Sequence, residues 1–255
     1  LEKLVMKNKK LFFQDLFEKV NTWLNDVEFL KSILVPIHSA GFPFIIIFAL
    51  VSLILGSISD FLGWLGIFLT AWCVYFFRDP IRVVPNIKDS IISPADGKVL
   101  PIIEVQPPEE IGIKEKMKKI SIFMNVFNVH VNRVPIGGKI KKLSYEPGAF
   151  FNASLDKASK LNERMSIKLE VEKGIEIVFV QIAGLIARRI KCELDENQIV
   201  KSGEKFGLIR FGSRLDIYLP LDSNINILEG QTVIAGETII ANLKRKKTGS
   251  KSIKT

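Results

Sequence analysis

An apolar block without charged residues constrains this chain more than any other feature. No Asp, Glu, Lys or Arg occurs from Ser32 to Ser59 or from Phe61 to Phe77, and Asp60 alone interrupts the block. A helix that crosses a bilayer needs about 20 apolar residues, and the second run is near the lower limit of about 17. We therefore expect a helical hairpin over residues 32–80 that either crosses the bilayer or dips into it and returns. In both cases its two ends emerge on the same side.

Basic residues beside the block predict which side that is. A cluster of four lysines near the start precedes the block, and two arginines follow it closely: Lys3, Lys7, Lys9, Lys10, Arg78 and Arg82. Because cytoplasmic flanks are enriched in Lys and Arg, we expect the rest of the chain on the cytoplasmic side of the cell (inner) membrane. We expect no cleavable signal peptide, since the apolar run begins far from the first residue and lacks a small-residue cleavage pattern.

Residues 1–31 have a different pattern. From Leu11 to Leu30, apolar residues recur at three- and four-residue spacing with polar residues between them, which predicts an amphipathic helix. Such a helix could dock on the folded domain or lie at a membrane interface. The lysine-rich start and the apolar block that follows favour the interface, so we assign residues 1–31 to a basic interfacial helix.

After Pro80 the sequence changes to short β-branched runs separated by Gly, Pro and Asn, which is typical of strands. Only residues 155–162 predict a helix there. We expect residues 81–243 to form a mainly β domain with a barrel- or sandwich-like core, which makes the chain α+β overall. The predicted strands are Lys98–Val105, Lys119–Asn125, Gly138–Ser144, Met165–Val171, Ile175–Ile182, Gly207–Phe211, Arg214–Leu219 and Thr232–Leu243.

A weak internal repeat supports the β core. The segment from Val200 to Gly207 resembles the segment from Leu228 to Glu237, and in each a glycine could end one strand and admit a tight turn. The second copy resembles the hammerhead of biotinyl- and lipoyl-type domains. No lysine lies at its turn, so it is not a carrier module.

The charge predicts an acidic partner. The net charge is +9 and the pI is about 9.4, which suits an anionic membrane surface or a nucleic acid. A nucleic acid ranks last, because the basic residues cluster at the termini without interleaved aromatic residues. In the basic tail, residues 244–255, each well-placed cation would add roughly 1 kcal/mol of attraction to anionic lipid. Cys73 and Cys192 lie in segments of different character, which predicts neither a disulfide nor a metal site and favours a reducing compartment.

The dipeptide Gly212-Ser213 is the strongest candidate for chemistry. A Gly-Ser pair is usually an ordinary turn. Here strand-like sequence flanks it on both sides, so the glycine interrupts what would otherwise be one extended run. In a strained turn, the Ser213 hydroxyl could attack the Gly212 carbonyl, which the missing side chain leaves open.

Two other segments carry candidate groups. His130 is the one histidine outside the apolar block, and alternation would place it with Asn128 and Asn132 on one face of a strand. Such a histidine is often structural, but it could equally donate or accept a proton near neutral pH. Asp96 lies in Ser93–Lys98, a turn that enters a strand, where it could be a turn residue, orient His130 or assist Ser213.

Together these segments resemble one family, the short prokaryotic phosphatidylserine decarboxylases. Only about the first thirty residues and the basic tail fall outside the resemblance. The matching segments are Gly41–Phe77, Arg78-Asp79-Pro80, Ser93–Lys98, Asn128–Pro135, Tyr145-Glu146-Pro147-Gly148, Gly184-Leu185-Ile186-Ala187-Arg188-Arg189 and Phe211-Gly212-Ser213.

The resemblance implies a proenzyme that cuts itself between Gly212 and Ser213 into a large chain, 1–212, and a small chain, 213–255. Ser213 would become a pyruvoyl group, the covalent cofactor, which bonds to the amine of phosphatidylserine and accepts the electron pair released as CO2 departs. The product would be phosphatidylethanolamine. By the same resemblance, His130 is the proton relay and Asp96 its partner in maturation.

One departure limits this transfer. Longer bacterial and eukaryotic relatives have Leu-Gly-Ser-Thr at the cleavage site and a second histidine in the His130 motif. Here the cleavage motif is Phe-Gly-Ser-Arg, and Arg133 occupies the position of that second histidine. Either His130 serves both steps or another group helps in self-cleavage.

The anionic groups of the substrate predict guanidinium partners. The candidates are Arg133, Arg188 and Arg189. Since adjacent strand residues face opposite ways, only one of Arg188 and Arg189 could point into the site.

Two other functions stay open. One is a membrane-anchored, lipoyl-like adaptor without catalysis, although such adaptors usually carry a long coiled coil and no sustained heptad pattern occurs here. The other is a pyruvoyl decarboxylase of another serine lipid, such as an archaeal-type ether lipid. A homo-oligomer is compatible with either.

Overall fold

The structure, a computed structural model, describes residues 35–154, 161–184, 190–210 and 212–244. The predicted interfacial helix, most of the predicted helix at 155–162, Arg188 and Arg189 lie outside these ranges, as does almost all of the basic tail. Asn162, which is described, forms a bridge with Ala149.

Two helices form the predicted apolar hairpin. A 3-10 turn, Ser39–Gly41, leads into α1 (Phe42–Ile58), and Ser59 alone separates α1 from α2 (Asp60–Phe76). Ile37 pairs with Arg78, so the two ends of the hairpin lie together. Ser39–Ile58 is long and apolar enough to cross a membrane by length and composition, and α2 is shorter.

Small residues let the two helices pack closely. A Cβ on Gly63 would lie 2.9 Å from the Gly56 Cα, so nothing larger than glycine fits there. Ser52 Oγ and Thr70 Oγ1 are 3.1 Å apart, and each hydroxyl also donates to a carbonyl four residues earlier. The pair therefore leaves neither hydroxyl unsatisfied between apolar helices.

The strands that follow the hairpin in the described chain form three antiparallel sheets. The largest has nine strands in the order β10-β6-β7-β8-β12-β4-β2-β14, with β3 also paired to β4; the others are β1-β15-β13 and β5-β11-β9. The strands are β1 (Ser90–Ile92), β2 (Gly97–Val99), β3 (Ile103–Val105), β4 (Met117–Met124), β5 (Val131–Arg133), β6 (Gly138–Glu146), β7 (Arg164–Val171), β8 (Ile175–Ile182), β9 (Ile190–Cys192), β10 (Ile199–Val200), β11 (Lys205–Ile209), β12 (Ser213–Leu219), β13 (Asn224–Ile225), β14 (Thr232–Val233) and β15 (Ile239–Asn242).

The main core lies between these sheets. Side chains from all three contribute to it, for example Ile122 of β4, Phe206 of β11 and Ile240 of β15. A second apolar cluster covers the opposite face of the nine-stranded sheet and includes Val180 and Tyr218. Strand β12 is buried on both faces, because alternation sends Leu215 and Ile217 into the main core and Tyr218 into the second cluster. The predicted mainly β fold with a helical hairpin is confirmed.

Three predicted strand assignments were wrong in detail. The run Lys98–Val105 is divided into β2 and β3: the Leu100 N–H still donates to the Ser121 carbonyl of β4, but Pro101 has no N–H and the Ile102 N–H donates to the Glu229 carboxylate. The run Thr232–Leu243 is divided into β14 and β15 by a turn at Gly236, where φ is +80°. Asn128 is not on a strand with Asn132: it lies in a turn in which its N–H donates to the Asn125 carbonyl, and β5 begins only at Val131.

The internal repeat corresponds to a shared turn. In the first copy, Gly203 has φ +79° and the Lys201 N–H donates to the Glu204 carboxylate; in the second, Gly230 has φ +81° and the Leu228 N–H donates to the Gln231 amide oxygen. The predicted tight turns at these glycines are confirmed, since positive φ costs glycine little.

Candidate active site

The Gly212-Ser213 peptide lies where the chain passes from the β5-β11-β9 sheet into the nine-stranded sheet. Gly212 has φ +64°, in the left-handed region that favours glycine, and Ser213 is the first residue of β12. A Cβ on Gly184 would lie only 1.7 Å from the Gly212 carbonyl oxygen. The carbonyl that Ser213 would attack is thus packed against the backbone of a second glycine.

Ser213 is fully buried and faces a small group of polar side chains in the main core. Its Oγ is 3.9 Å from the Met124 Sδ, and Met124 is its direct partner on β4. The same sulfur accepts from Asn132 Nδ2 at 3.7 Å, and Asn132 Oδ1 accepts from Gln181 Nε2 at 2.8 Å. We call Ser213, Met124, Asn132 and Gln181 the Ser213 chamber.

His130 is 1% exposed and packs against the end of the hairpin. Its ring centroid lies 4.4 Å from that of Phe76, the last residue of α2. The Nδ1 atom is 2.9 Å from the Asn128 carbonyl oxygen, which can only accept, so Nδ1 carries the proton of the neutral ring. Nε2 is therefore the basic nitrogen, and it has no hydrogen-bond partner among the described residues.

Burial lowers the pKa of His130 to about 4, and the nearby charge of Arg78 acts in the same direction. The ring is therefore neutral at physiological pH. A neutral imidazole with a free Nε2 can accept a proton from a hydroxyl, although its low pKa makes it a weak base.

Asp96 lies in the predicted turn between β1 and β2, but its partners are not those that the sequence suggested. Its Oδ1 accepts from the Ala235 N–H at 2.7 Å, and its Oδ2 accepts from Arg82 Nη2 at 2.8 Å. Burial raises the pKa of the Asp96 carboxyl, and these two contacts oppose the rise. Neither of these two contacts joins Asp96 to His130 or Ser213.

The guanidinium of Arg133 holds main-chain groups together. Its Nη1 donates to the Gly203 carbonyl at 3.0 Å and its Nη2 to the Pro80 carbonyl at 3.1 Å, while Asp79 lies 3.8 Å away. Asp79 also forms an ion pair with Lys205 at 2.6 Å. Arg133 thus links the segment after the hairpin to the β10–β11 turn.

Comparison with known proteins identifies the family of this chain. Residues 69–241 match the profile of the family described as phosphatidylserine decarboxylase. The chain belongs to the phosphatidylserine decarboxylase family. Three relatives, each named phosphatidylserine decarboxylase proenzyme, come from Rickettsia akari, Rickettsia bellii and Rickettsia typhi and are 58%, 58% and 57% identical. Each alignment covers 83% of this chain and 92% of the relative.

Several residues of this decarboxylase family member that contact Gly212, Ser213 or His130, directly or through one another, were not predicted as site residues. They are Phe76, Met124, Asn132, Gly184, Gln181 and Arg214. Gln181 had a visible signal, since it is the polar residue in the apolar run from Ile177 to Ala183. Gly184 lies within a segment that carried the resemblance and Arg214 directly follows another, but their contacts depend on pairing between distant segments.

Proposed function

We propose that this chain cuts its own backbone between Gly212 and Ser213 and then decarboxylates phosphatidylserine to phosphatidylethanolamine. As a member of the phosphatidylserine decarboxylase family it is a carboxy-lyase, and the related proenzymes imply maturation by cleavage. The observation that carries the proposal is a left-handed Gly212 whose carbonyl abuts Gly184 and is followed directly by a buried serine.

Self-cleavage uses atoms of this chain alone until the last step. Ser213 Oγ attacks the Gly212 carbonyl carbon, the C–N bond breaks, and an ester joins the two residues. Loss of the Ser213 Cα proton then breaks the Cβ–Oγ bond and releases the Gly212 carboxylate. The dehydroalanine left on the small chain tautomerises to an imine, and water displaces ammonia to leave a pyruvoyl group, an α-keto amide bonded to the Arg214 nitrogen.

His130 is the base that we assign to the Ser213 hydroxyl proton. The assignment is supported by its neutral ring and its free, buried Nε2. Asp96 remains our candidate partner in maturation. Through Arg82 and Ala235 it fixes the turn that leads into β2, and β2 pairs with β4, the strand that carries Met124.

The Ser213 chamber fits a pyruvoyl group. Gln181 Oε1 is a buried polar atom without a hydrogen-bond partner among the described residues, and Asn132 Nδ2 donates to the Met124 thioether, a weak acceptor. Buried polar groups are rarely left unsatisfied without a reason. Met124, Asn132 and Gln181 would surround the group, which would supply an electron sink for the departing CO2.

The lipid substrate and the membrane site are inferred from charge and apolar surface. Outward-facing residues of the hairpin such as Leu53, Phe61 and Trp64 are strongly exposed, which suits contact with lipid tails. The flanking cations favour a β domain on the cytoplasmic side of the cell membrane. Arg133, Arg188 and Arg189 are our candidate ligands for the phosphate and carboxylate of the lipid.

Intact mass and denaturing electrophoresis of the purified protein test the cleavage. We expect two fragments that correspond to 1–212 and 213–255, the smaller of which has no free amino terminus and reacts with borohydride. Ser213→Ala should remain a single chain and release no CO2 from phosphatidylserine vesicles, because it lacks the attacking hydroxyl.

Ser223→Ala is the matched control, since Ser223 is a buried serine of the same small chain. It should cleave and turn over normally. A Ser213→Ala protein that yields the two fragments, or an active wild-type protein that stays intact, would contradict the proposal.

A further inference from the structure

A buried ion pair lies directly beside the scissile serine, on the other face of the strand. Alternation along β12 sends Ser213 into the main core and the next residue, Arg214, to the opposite face together with Asp216. Both side chains of the pair are essentially inaccessible to solvent, at 1% and 0% exposure.

The geometry of the pair is that of a two-pronged contact. Arg214 Nε lies 2.8 Å from Asp216 Oδ1, and Arg214 Nη2 donates to Asp216 Oδ2 at 3.0 Å. This arrangement fixes the guanidinium plane in one orientation, as paired contacts between Arg and carboxylate do. The third contact, from Nη1, reaches the Ala153 carbonyl at 3.1 Å.

Ala153 connects Arg214 to the scissile carbonyl. A Cβ on Gly184 would lie 3.5 Å from the Ala153 Cβ and 1.7 Å from the Gly212 oxygen. Ala153 thus packs beside the glycine that backs this carbonyl, and its own carbonyl is held by Arg214. The guanidinium therefore connects the Ser213 end of β12 to Ala153 and Gly184, which lie beside the Gly212 carbonyl.

Fold stability alone does not account for this pair. Removing two charges from water is costly, and replacing a buried ion pair by apolar residues of similar volume is often neutral or stabilising. The neighbouring positions on β8 show that apolar residues suit this face, since Ile182 lies opposite Arg214 and Val180 opposite Asp216.

We propose that Arg214, oriented by Asp216, is a positioning residue for self-cleavage that keeps the Ser213 hydroxyl aligned with the Gly212 carbonyl. The inference rests on the proposed function. The same contacts secure the strand once the bond is broken, because residue 213 then begins a chain and Arg214 is the nearest side chain that anchors it.

The test uses the full chain with Arg214→Met and Asp216→Leu together, which leaves no uncompensated charge. Self-cleavage is followed in time after cell-free synthesis, and thermal unfolding is measured in a Ser213→Ala background. We expect cleavage to slow by roughly 10- to 100-fold, because small misalignments of reacting groups cause losses of this size. The melting temperature of the double variant should stay close to that of the parent. Arg214→Lys should cleave at an intermediate rate, since lysine keeps the positive charge but lacks the two guanidinium nitrogens that face the Asp216 carboxylate.

Arg164→Met with Glu110→Leu is the matched control. This pair lies on the same face, with a 2.7 Å contact, and Arg164 is in register with Ile182 and so two strands from Arg214. Its removal should leave the cleavage rate unchanged. The inference fails if the Arg214 variants cleave as fast as wild type, or if both double variants slow cleavage in proportion to lost stability. Wild-type protein that does not cleave would instead contradict the proposed function.

Discussion

The ring of His130 is held in its neutral form by burial, and this has a measurable effect on stability. In the unfolded chain the imidazole binds a proton below pH about 6.5, whereas in the folded chain it does so only near pH 4. Between these values the unfolded state binds more protons, so the free energy of unfolding falls as the pH is lowered. Asn128 and Arg78 are the polar groups that act on the ring, and the Arg78 charge adds to the effect.

We therefore expect the intact Ser213→Ala protein to lose of the order of 3 kcal/mol between pH 6.5 and 4 through His130 alone. Adding His130→Gln should remove that part of the loss, since the amide does not titrate. Chemical unfolding at several pH values measures the difference, and carboxylates contribute equally to both proteins. Parallel curves for the two proteins would show that His130 does not titrate as its burial requires.

Gly184 offers a second test at the scale of one residue. In Gly184→Ala the new methyl would lie 1.7 Å from the Gly212 oxygen, so the scissile carbonyl must move. We expect self-cleavage to be slowed by at least about 100-fold, as measured by the fraction of intact chain over time. In Gly137→Ala the nearest atom would be 3.3 Å away, and cleavage should proceed at the wild-type rate. Normal cleavage in Gly184→Ala would show that the Gly212 carbonyl does not need to pack against Gly184 for the reaction.

The hairpin and the β domain meet at His130. Phe76 ends α2 and packs against the His130 ring, and Arg78 Nη2 donates to the Phe127 carbonyl at 2.6 Å in the turn that precedes His130. The element that we place in the membrane therefore packs directly against the imidazole that we propose as the proton relay. A hairpin that was only an anchor would need no such contact.

Phe76→Leu tests this connection. The smaller side chain should admit water beside the imidazole, which raises the pKa of His130 toward its usual range. The acid limb of the pH–rate profile for self-cleavage, the step in which His130 acts as the base, should then move to higher pH. Trp64→Leu is the control on the same helix, where the side chain is 71% exposed, and its profile should not change. An unshifted profile in Phe76→Leu would show that this residue of the hairpin does not control the pKa of His130.

Elements with a strong local pattern were predictable from the sequence. The absence of charge from Ser32 to Ser59 was enough for the hairpin, and glycine at 203 and 230 was enough for the turns. The division of Lys98–Val105 was missed although Pro101 was visible, because an apolar alternating run outweighed one missing donor. Asn128 was misplaced because alternation predicts a strand without indicating where it begins.

At the scale of the whole molecule, the site could be predicted only in part. Ser213 and Gly212 are adjacent in sequence, so their chemistry could be inferred from a motif. The link from Arg214 to Ala153 spans 61 residues, and the bond from Gln181 to Asn132 spans 49. Contacts of this kind depend on sheet order, which no local pattern in the sequence specifies.

The position of β12 determines what happens to the molecule after cleavage. This strand lies between β8 and β4 in the largest sheet, and β13, β14 and β15, which follow it, pair with one another or with β1 and β2 of the large chain. If the chain is cut between Gly212 and Ser213 as proposed, the large and small chains of the mature protein share an interface that is the former interior of the precursor. Exchange of one subunit would require global unfolding. A small chain whose ketone has been chemically inactivated would therefore not be replaced by a newly synthesised small chain. Renewal of activity requires synthesis of a new precursor.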